Sequence, residues 1–151
     1  MKVSEVMSVE LLTATLNESV RVVVGHMVAR GCGSVPVVDD GNHLLGIIAI
    51  RDIMIPLYPN MGNYAHDAVA SQDFETMEAE YGRSLDSSAG ELMTASPMTV
   101  ASDDSVLKAA SYMGLKNLRR IPVTDDDNRL LGIISIGDIN RALFLAQGES
   151  D

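Results

Sequence analysis

The sequence predicts an α+β protein built from two tandem copies of one unit of helices and strands. Of the 51 positions from Val3 to Ile53, 19 carry the same residue as the position 86 residues later, and no insertion interrupts the match. The longest match pairs Gly46–Ile53 with Gly132–Ile139. Two copies of one supersecondary unit predict a pseudo-twofold module, with a ligand at the seam between the copies.

Composition and charge limit the classes of protein and of partner. The 151 residues include 46% hydrophobic residues and one cysteine, which is typical of a globular domain without an internal disulfide. The net charge of −10 disfavours nucleic acid as a partner, because binding to its phosphate backbone requires clustered basic residues. No apolar run is long enough to cross a membrane and the start shows no signal-peptide pattern, so we expect a cytoplasmic protein.

The first helix of each copy is predicted by apolar residues at helical spacing. Polar residues that favour helix starts precede both stripes, so we expect N-caps at Asn17 and Asp103. Gly31 and Asn117 are expected to end the two helices. The stripes consist of Val20, Val23, Val24, Met27 and Val28 in the first copy and Val106, Ala109, Ala110 and Met113 in the second.

Extended segments and polar turns predict the strands. Asp39–Asn42 and Asp125–Asn128 have turn composition, and the strand after each turn is a nearly continuous apolar run that favours burial on both faces. The closing helices are expected to begin at Asp52 and Asp138, with a distortion at Pro56. The extended segments are Leu11–Leu16, Val35–Val38 and Leu44–Ile50 in the first copy, and Met98–Ala101, Ile121–Thr124 and Leu130–Ile136 in the second.

A segment without a counterpart in the repeat lies between the copies. It is too rich in Tyr, Phe and Met for a plain disordered linker, and its weak helical character around Phe74–Leu85 predicts a partly helical insertion. The resulting predicted organisation is a first motif at 1–56, the insertion at 57–88, a second motif at 89–147 and a disordered tail at 148–151.

Ser135 and Asp138 lie three residues apart, where a predicted strand turns into a helix. A hydroxyl and a helix N-terminus are both partners for phosphate, and a carboxylate there can accept two hydrogen bonds from a ribose diol. Arg120 can supply a charge-assisted contact to phosphate. The alternative is structural: Asp138 serves only as an N-cap, and Ser135 is a small polar strand residue.

The first copy lacks part of this set. It retains Asp52 but has Ala49 in place of the hydroxyl residue and Ser34 in place of Arg120. Arg51 adjoins Asp52, although an arginine at such a position more often points to solvent or pairs with an acid. We therefore expect two unequal sites, of which the second copy has the better set of phosphate-binding groups.

The repeat resembles a CBS domain pair, the regulatory module named after cystathionine β-synthase. The residues that carry the resemblance are Met7-Ser8, Met93-Thr94, Val35–Asp39, Ile121–Asp125 and the two Gly-to-Asp runs given above. The resemblance implies tandem βαββα motifs packed sheet against sheet about a pseudo-twofold axis, with a helical insertion between them. It also implies a disc-like homodimer.

In this family the clefts between the copies bind adenosine-containing ligands such as AMP, ADP, ATP or S-adenosylmethionine. By resemblance Asp138 holds the ribose, Ser135 and Arg120 face the phosphate, and backbone near Thr99 reads the base. The implied second site comprises Asp138, Ser135, Arg120, Arg119, Thr99, Ile121 and Pro122, and the implied weaker first site comprises Asp52, Arg51, Ser34, Thr13, Val35 and Pro36.

Two functions are consistent with these features. The leading hypothesis is a non-catalytic sensor that binds an adenine nucleotide as its regulatory ligand, without another cofactor, and signals to an unidentified protein. The alternative is a structural interaction module whose clefts are empty or hold divalent ions. The histidines and the single cysteine lack metal-ligand spacing, so we expect no metal site, and no catalytic signature is visible.

Overall fold

A computed structural model describes residues 1–57 and 73–148. Short 3₁₀ turns occupy Val3–Glu5 and Ile55–Leu57. No helix among the described residues is long and apolar enough to span a bilayer. The other elements, in chain order, are α1 (Val20–Arg30), β1 (Ser34–Val38), β2 (Leu44–Ala49), α2 (Ile50–Met54), α3 (Phe74–Ser84), α4 (Ala89–Leu92), β3 (Thr94–Ala95), α5 (Val106–Lys116), β4 (Arg120–Thr124), β5 (Leu130–Ser135) and α6 (Ile136–Ala146).

Helices α1 and α5 form where their apolar stripes predict them, but the predicted N-caps were wrong. Ser19 caps α1, and its hydroxyl oxygen accepts a hydrogen bond from the Val22 N–H at 3.2 Å. Ser105 caps α5 in the same way. The acids just before these serines, Glu18 and Asp104, accept hydrogen bonds within the turn that precedes each helix. The Glu18 carboxylate accepts from the Thr15 N–H, and the Asp104 carboxylate accepts from the Ala101 N–H.

Both helices end as predicted. Gly31 follows α1 with a φ of 66°, and Asn117 follows α5 with a φ of 54°. These left-handed conformations are favourable for glycine and tolerated by asparagine, which explains the residue types at the two helix ends.

The predicted central strands are present, with bounds that differ by one residue. Strands β1, β2 and β3 form one sheet in that order, and β4 pairs with β5 in another. Burial on both faces was wrong for β2 and β5, because buried and half-buried residues alternate along them. One face of each strand packs into a core, and the other face is only partly covered.

The closing helices start two residues earlier than predicted. Helix α6 begins at Ile136 because Ser135 provides the capping oxygen, which places Asp138 in the first turn. Helix α2 begins at Ile50 and ends at Met54, and the chain continues as a 3₁₀ turn through Pro56. The early end agrees with the expected distortion, since proline cannot donate a helical hydrogen bond.

Within the insertion, α3 confirms the helical character expected near Phe74–Leu85. Asp73 caps this helix by accepting a hydrogen bond from the Thr76 N–H. The remainder of the insertion, 58–72, and the tail residues 149–151 lie outside the described residues.

The described chain divides into two compact units. Among the described residues, unit 1 contains 1–12, 38–45 and 96–148, and unit 2 contains 13–37, 46–57 and 73–95. Each unit therefore combines most of one repeat with the segment that opens the other. The core of unit 1 consists of Val3, Val100, Val106, Ala109, Met113, Ile121, Val123, Ile134 and Ile139.

The opening segment of each repeat pairs with a long strand in its unit. In unit 1, Ser8 and Ile133 exchange two backbone hydrogen bonds of 2.8 and 3.0 Å. In unit 2, β3 pairs with β2 and aligns Thr94 with Ile47. Ser8 is equivalent to Thr94 in the repeat, and Ile133 is equivalent to Ile47, so both units form this contact in the same way.

The two predicted polar turns bind each other within unit 1. The Asn42 side-chain amide donates to the Leu130 carbonyl oxygen at 2.9 Å. The Asn128 amide donates to the Leu44 carbonyl oxygen at the same distance. Both asparagines have a positive φ near 64°, so each combines the turn conformation with a link to the opposite turn.

Gly132 allows the opening segment to approach β5. A Cβ atom at this position would lie 2.7 Å from the Ser8 carbonyl oxygen and 2.9 Å from the Met7 sulfur. By contrast, Gly25 in α1 has no such neighbour within 4 Å.

We expect Gly132→Ala to lower the free energy of unfolding by about 1–3 kcal/mol, because backbone must shift to accommodate the methyl group. The matched substitution Gly25→Ala should raise it by roughly 0.5–1 kcal/mol, since alanine favours the helix. Chemical denaturation followed by circular dichroism measures both. Equal effects at the two positions would contradict the close approach at Gly132.

The Asp104 carboxylate, just before α5, accepts hydrogen bonds from the Ala101 N–H and the Lys108 ammonium group, and these bonds stabilise the fold. The hydrogen bond from the Ala101 N–H, and then that from Lys108, lower the pKa of Asp104 below its ordinary value of 3.8. A lowered folded-state pKa gives stability that is fully present above pH 3.8 and is lost as the pH falls through the folded pKa.

We therefore expect Asp104→Asn to lower the melting temperature at pH 7, and the difference from the parent protein to shrink as the pH falls below 3.8. Asp126→Asn, in an exposed turn, serves as the charge-matched control and should have little effect. Thermal melts between pH 7 and pH 2.5 test this. A difference that is constant with pH would exclude the ionised carboxylate as its source.

Candidate functional site

The second-copy residues that the sequence singles out come together in unit 1. Strands β4 and β5 are antiparallel, with Arg120 opposite Ser135 and Pro122 opposite Ile133. Residues directly opposite each other project from the same face of a sheet. Arg120, Pro122 and Ser135 therefore share one face, on which Arg120 is exposed and Ser135 is half-buried, whereas Pro122 is buried.

Ile121 lies on the other face of the same sheet. Its side chain has no exposed surface and belongs to the core of unit 1. The structure thus leaves only the backbone of Ile121 available to a ligand on the partly covered face.

Thr99 lies beside this face at the edge of β4. The next residue, Val100, forms a parallel bridge with Val123, and its N–H donates to the Pro122 carbonyl oxygen at 3.1 Å. Thr99 is half-buried. This backbone pairing brings Thr99 close to Pro122.

Ser135 and Asp138 have different roles at the start of α6. The Ser135 hydroxyl oxygen accepts the Asp138 N–H at 3.1 Å, so Ser135 is the N-cap and Asp138 is not. Among the residues that the structure describes, the Asp138 carboxylate has no hydrogen-bond partner, although the residue is half-buried. The structural alternative for Asp138, a capping role, is therefore wrong.

Two arginines border this helix start. The Arg119 carbonyl oxygen accepts the Ile136 N–H at 2.9 Å, which fixes the arginine segment against α6. Arg119 and Arg120 are exposed, and neither takes part in an ion pair within 1–57 and 73–148. Their side chains form a local positive region in a chain with a net charge of −10.

The equivalent aspartate in unit 2 is engaged by the protein itself. One carboxylate oxygen of Asp52 accepts the Ala49 N–H at 2.7 Å. The other oxygen accepts the Thr94 hydroxyl at 3.0 Å. Asp52 is thus held by two hydrogen bonds where Asp138 has none among the described residues.

The other first-copy residues add little binding capacity. The Ser34 hydroxyl oxygen is buried without a hydrogen-bond partner in the described chain. Val35 and Pro36 are buried, whereas Arg51 and Thr13 are exposed. Position 34 therefore offers neither a charge nor an accessible hydroxyl.

Thr94 is a site residue that the sequence reasoning missed. Its contact with Asp52 joins residues 42 positions apart and depends on the pairing of β3 with β2. The signal available in the sequence was its equivalence to Ser8, each after a methionine in the repeat.

The chemistry of the second-copy site suits recognition. It offers a carboxylate acceptor, a hydroxyl and a guanidinium on one side of a sheet, next to a helix N-terminus. Over 1–57 and 73–148, no group of three or more histidine, cysteine or acidic side chains is placed to hold a metal ion.

The repeats match the family model for the CBS domain at residues 3–57 and 89–145. The chain belongs to the CBS domain family. The recognised resemblance is thereby confirmed, and so is the mixed helix-and-strand class with tandem CBS repeats.

Two curated relatives cover most of this CBS chain. The uncharacterized protein MK0525 of Methanopyrus kandleri is 28% identical over 137 residues, which are 91% of this chain and 60% of that protein. The chloroplastic CBS domain-containing protein CBSX2 of Arabidopsis thaliana is 26% identical over 132 residues, which are 83% of this chain and 55% of that protein. The chain thus spans a little more than half the length of these relatives.

Two solved structures are similar over nearly the whole CBS chain. CBSX2 in complex with AMP has a TM-score of 0.74 at 25% identity, over 97% of this chain and 98% of that chain. The CBS domain pair of MJ0100, in complex with 5′-methylthioadenosine and S-adenosyl-L-methionine, has a TM-score of 0.70 at 25% identity, over the same shares. Both of these CBS pairs bind adenosyl compounds.

We expect Ser135→Ala to lower the free energy of unfolding by about 1 kcal/mol, because the Asp138 N–H loses its capping oxygen. Ser111→Ala is the control: that hydroxyl donates to a carbonyl oxygen inside α5, where such a bond contributes little. Urea denaturation compares them. A Ser135 variant as stable as the Ser111 variant would exclude the capping role.

Proposed function

We propose that this CBS pair is a non-catalytic regulatory module that binds an adenine nucleotide (AMP, ADP or ATP) at the second-copy site. The observation that carries the proposal is the carboxylate of Asp138, a half-buried residue, which has no hydrogen-bond partner among the described residues. A carboxylate that no group of the protein engages is available to accept hydrogen bonds from a ligand, and hydrogen bonds to a charged group are stronger than those between neutral groups.

The ribose is the natural partner of this carboxylate. Two adjacent hydroxyl groups can donate to the two oxygens of one carboxylate, as in other nucleotide sites. Because Asp138 lies in the first turn of α6, a bound ribose is placed beside that helix start.

The phosphate then meets three complementary groups. The Ser135 oxygen accepts the Asp138 N–H, so the hydroxyl proton of Ser135 is available to a phosphate oxygen. Arg120 shares the face of Ser135 and supplies a positive charge, which Arg119 reinforces. The N-terminus of α6 adds a favourable partial charge.

The base has a place next to this set. Pro122 lies on the same face as Ser135, and Thr99 adjoins it at the strand edge. The backbone around Thr99 supplies hydrogen-bonding groups of the kind that read a base, whereas the Pro122 side chain is buried and, like Pro36, offers little surface.

The two similar solved structures support the ligand class. CBSX2 holds AMP, and the MJ0100 pair holds 5′-methylthioadenosine and S-adenosyl-L-methionine, so adenosine is the common part. In this chain the arginine pair favours the phosphorylated compounds, because a guanidinium attracts phosphate and repels the sulfonium of S-adenosylmethionine.

Signalling requires that the nucleotide binds two states of the protein unequally. We propose that nucleotide binding changes the conformation of the protein, or its affinity for a second copy or for a regulated protein. A homodimer in the cytoplasm that responds to the adenylate pool is the form of this proposal that the family resemblance implies.

We expect Asp138→Asn to weaken AMP binding by on the order of 100-fold, because both ribose hydrogen bonds lose the charged acceptor. Isothermal titration calorimetry with AMP, ADP, ATP and S-adenosylmethionine measures the affinities. Asp126→Asn removes the same charge from an exposed turn and should bind AMP like the parent protein.

Thermal shift gives an independent readout. A ligand at a hundredfold excess over its dissociation constant should add about 2.7 kcal/mol to the free energy of unfolding. AMP binding that is unchanged in Asp138→Asn would refute the site. A folded protein that binds no adenosyl compound would favour the structural interaction module instead.

A further inference from the structure

The two equivalent aspartates differ in availability. Asp52 is held through both carboxylate oxygens, by the Ala49 N–H at 2.7 Å and by the Thr94 hydroxyl at 3.0 Å. Asp138 has neither contact within the described chain, although its backbone follows the same strand-to-helix turn. Replacements at two positions of the repeat account for the difference.

The first position is the residue that ends the long strand. In the second copy this residue is Ser135, and its hydroxyl satisfies the Asp138 N–H. In the first copy it is Ala49, which has no side-chain acceptor. The Asp52 carboxylate instead reaches back to the Ala49 N–H, as an acid at the third helical position does in a capping box.

The second position belongs to the opening segment of the repeats. Thr94 is aligned with Ile47 on β2, and its hydroxyl donates to Asp52. Ser8 is aligned with Ile133 on β5 in the same way, but its hydroxyl makes no hydrogen bond to Asp138. Threonine is restricted in χ1 by its branched Cβ, so it holds its hydroxyl in place better than serine does.

We propose that the first-copy site is closed by its own aspartate, and that the chain binds one adenine nucleotide, at the second-copy site only. Ala49 and Thr94 are the positions that determine this specificity. The inference rests on the proposed function, since it concerns how many of the two repeats are open to the nucleotide.

The cost of opening explains why one site stays unoccupied. A ribose at Asp52 must displace two hydrogen bonds to a carboxylate, and each such bond corresponds to about tenfold or more in affinity. The buried Ser34 hydroxyl lies where the second copy has Arg120, so position 34 supplies no charge that compensates for this loss.

Calorimetric stoichiometry with AMP tests the inference. The parent protein should bind one AMP per chain, and Asp52→Asn should leave this number and the affinity unchanged. Ala49→Ser combined with Thr94→Ser gives the first copy the residues of the second. This double variant should bind a second AMP more weakly than the first, and adding Ser34→Arg should strengthen the second binding event.

Thermal melts of each variant verify that it is folded. Ala29→Ser, on the exposed side of α1, is the matched control and should keep one AMP per chain. Two AMP molecules on the parent protein, one of them lost in Asp52→Asn, would overturn the closed site but leave the proposed function intact. A single AMP on the double and triple variants would overturn the role of Ala49 and Thr94. No AMP on the folded parent protein would instead refute the proposed function itself.

Discussion

The pairing of each repeat's opening segment with a long strand is the contact on which the rest of the structure depends. In unit 1 this pairing joins Ser8 to Ile133, and the same opening segment contributes Val3, whose N–H donates to the Asp104 carbonyl oxygen, to the core formed by the second repeat. The approach is so close that only glycine fits at position 132. Without the opening segment the core of unit 1 would lose a buried valine and β5 would have an open edge.

The same pairing sets the chemistry next to each aspartate. It places Thr94 against Asp52 in unit 2 and Ser8 at the equivalent position in unit 1. The two copies differ by one methyl group at this position (Thr94 against Ser8) and by one hydroxyl at the end of the long strand (Ser135 against Ala49). With these differences the Asp52 carboxylate is hydrogen-bonded within the protein, whereas the Asp138 carboxylate has no partner among the described residues. The repeat therefore keeps the backbone constant, while two small substitutions change what the site can bind.

Features with local causes could be predicted from the sequence. Helix α1, the left-handed ends at Gly31 and Asn117 and the polar turns each depend on a few adjacent residues, and the structure confirms them. The stripe of α1 is confirmed only in part: Val20, Val23 and Met27 are buried, whereas Val28 is exposed. The N-caps were missed because several polar residues compete before each helix, and the choice depends on backbone angles that composition does not reveal. The contact between Thr94 and Asp52 was missed for another reason: it is fixed by strand pairing between distant segments.

Local charge decides whether an acidic protein can bind an anionic nucleotide. The net charge of −10 acts over the whole surface, but at physiological ionic strength charges more than about 8 Å apart are largely screened from each other. Arg119 and Arg120 adjoin the start of α6 and have no ion-pair partner in the described chain. A phosphate beside Ser135 therefore experiences the arginines, the helix dipole and the neighbouring Asp138 carboxylate more strongly than the distant acids, so the two arginines must also offset the charge of Asp138. The first copy has the same global charge without a basic residue at position 34, so the local groups, and not the net charge, distinguish the two repeats.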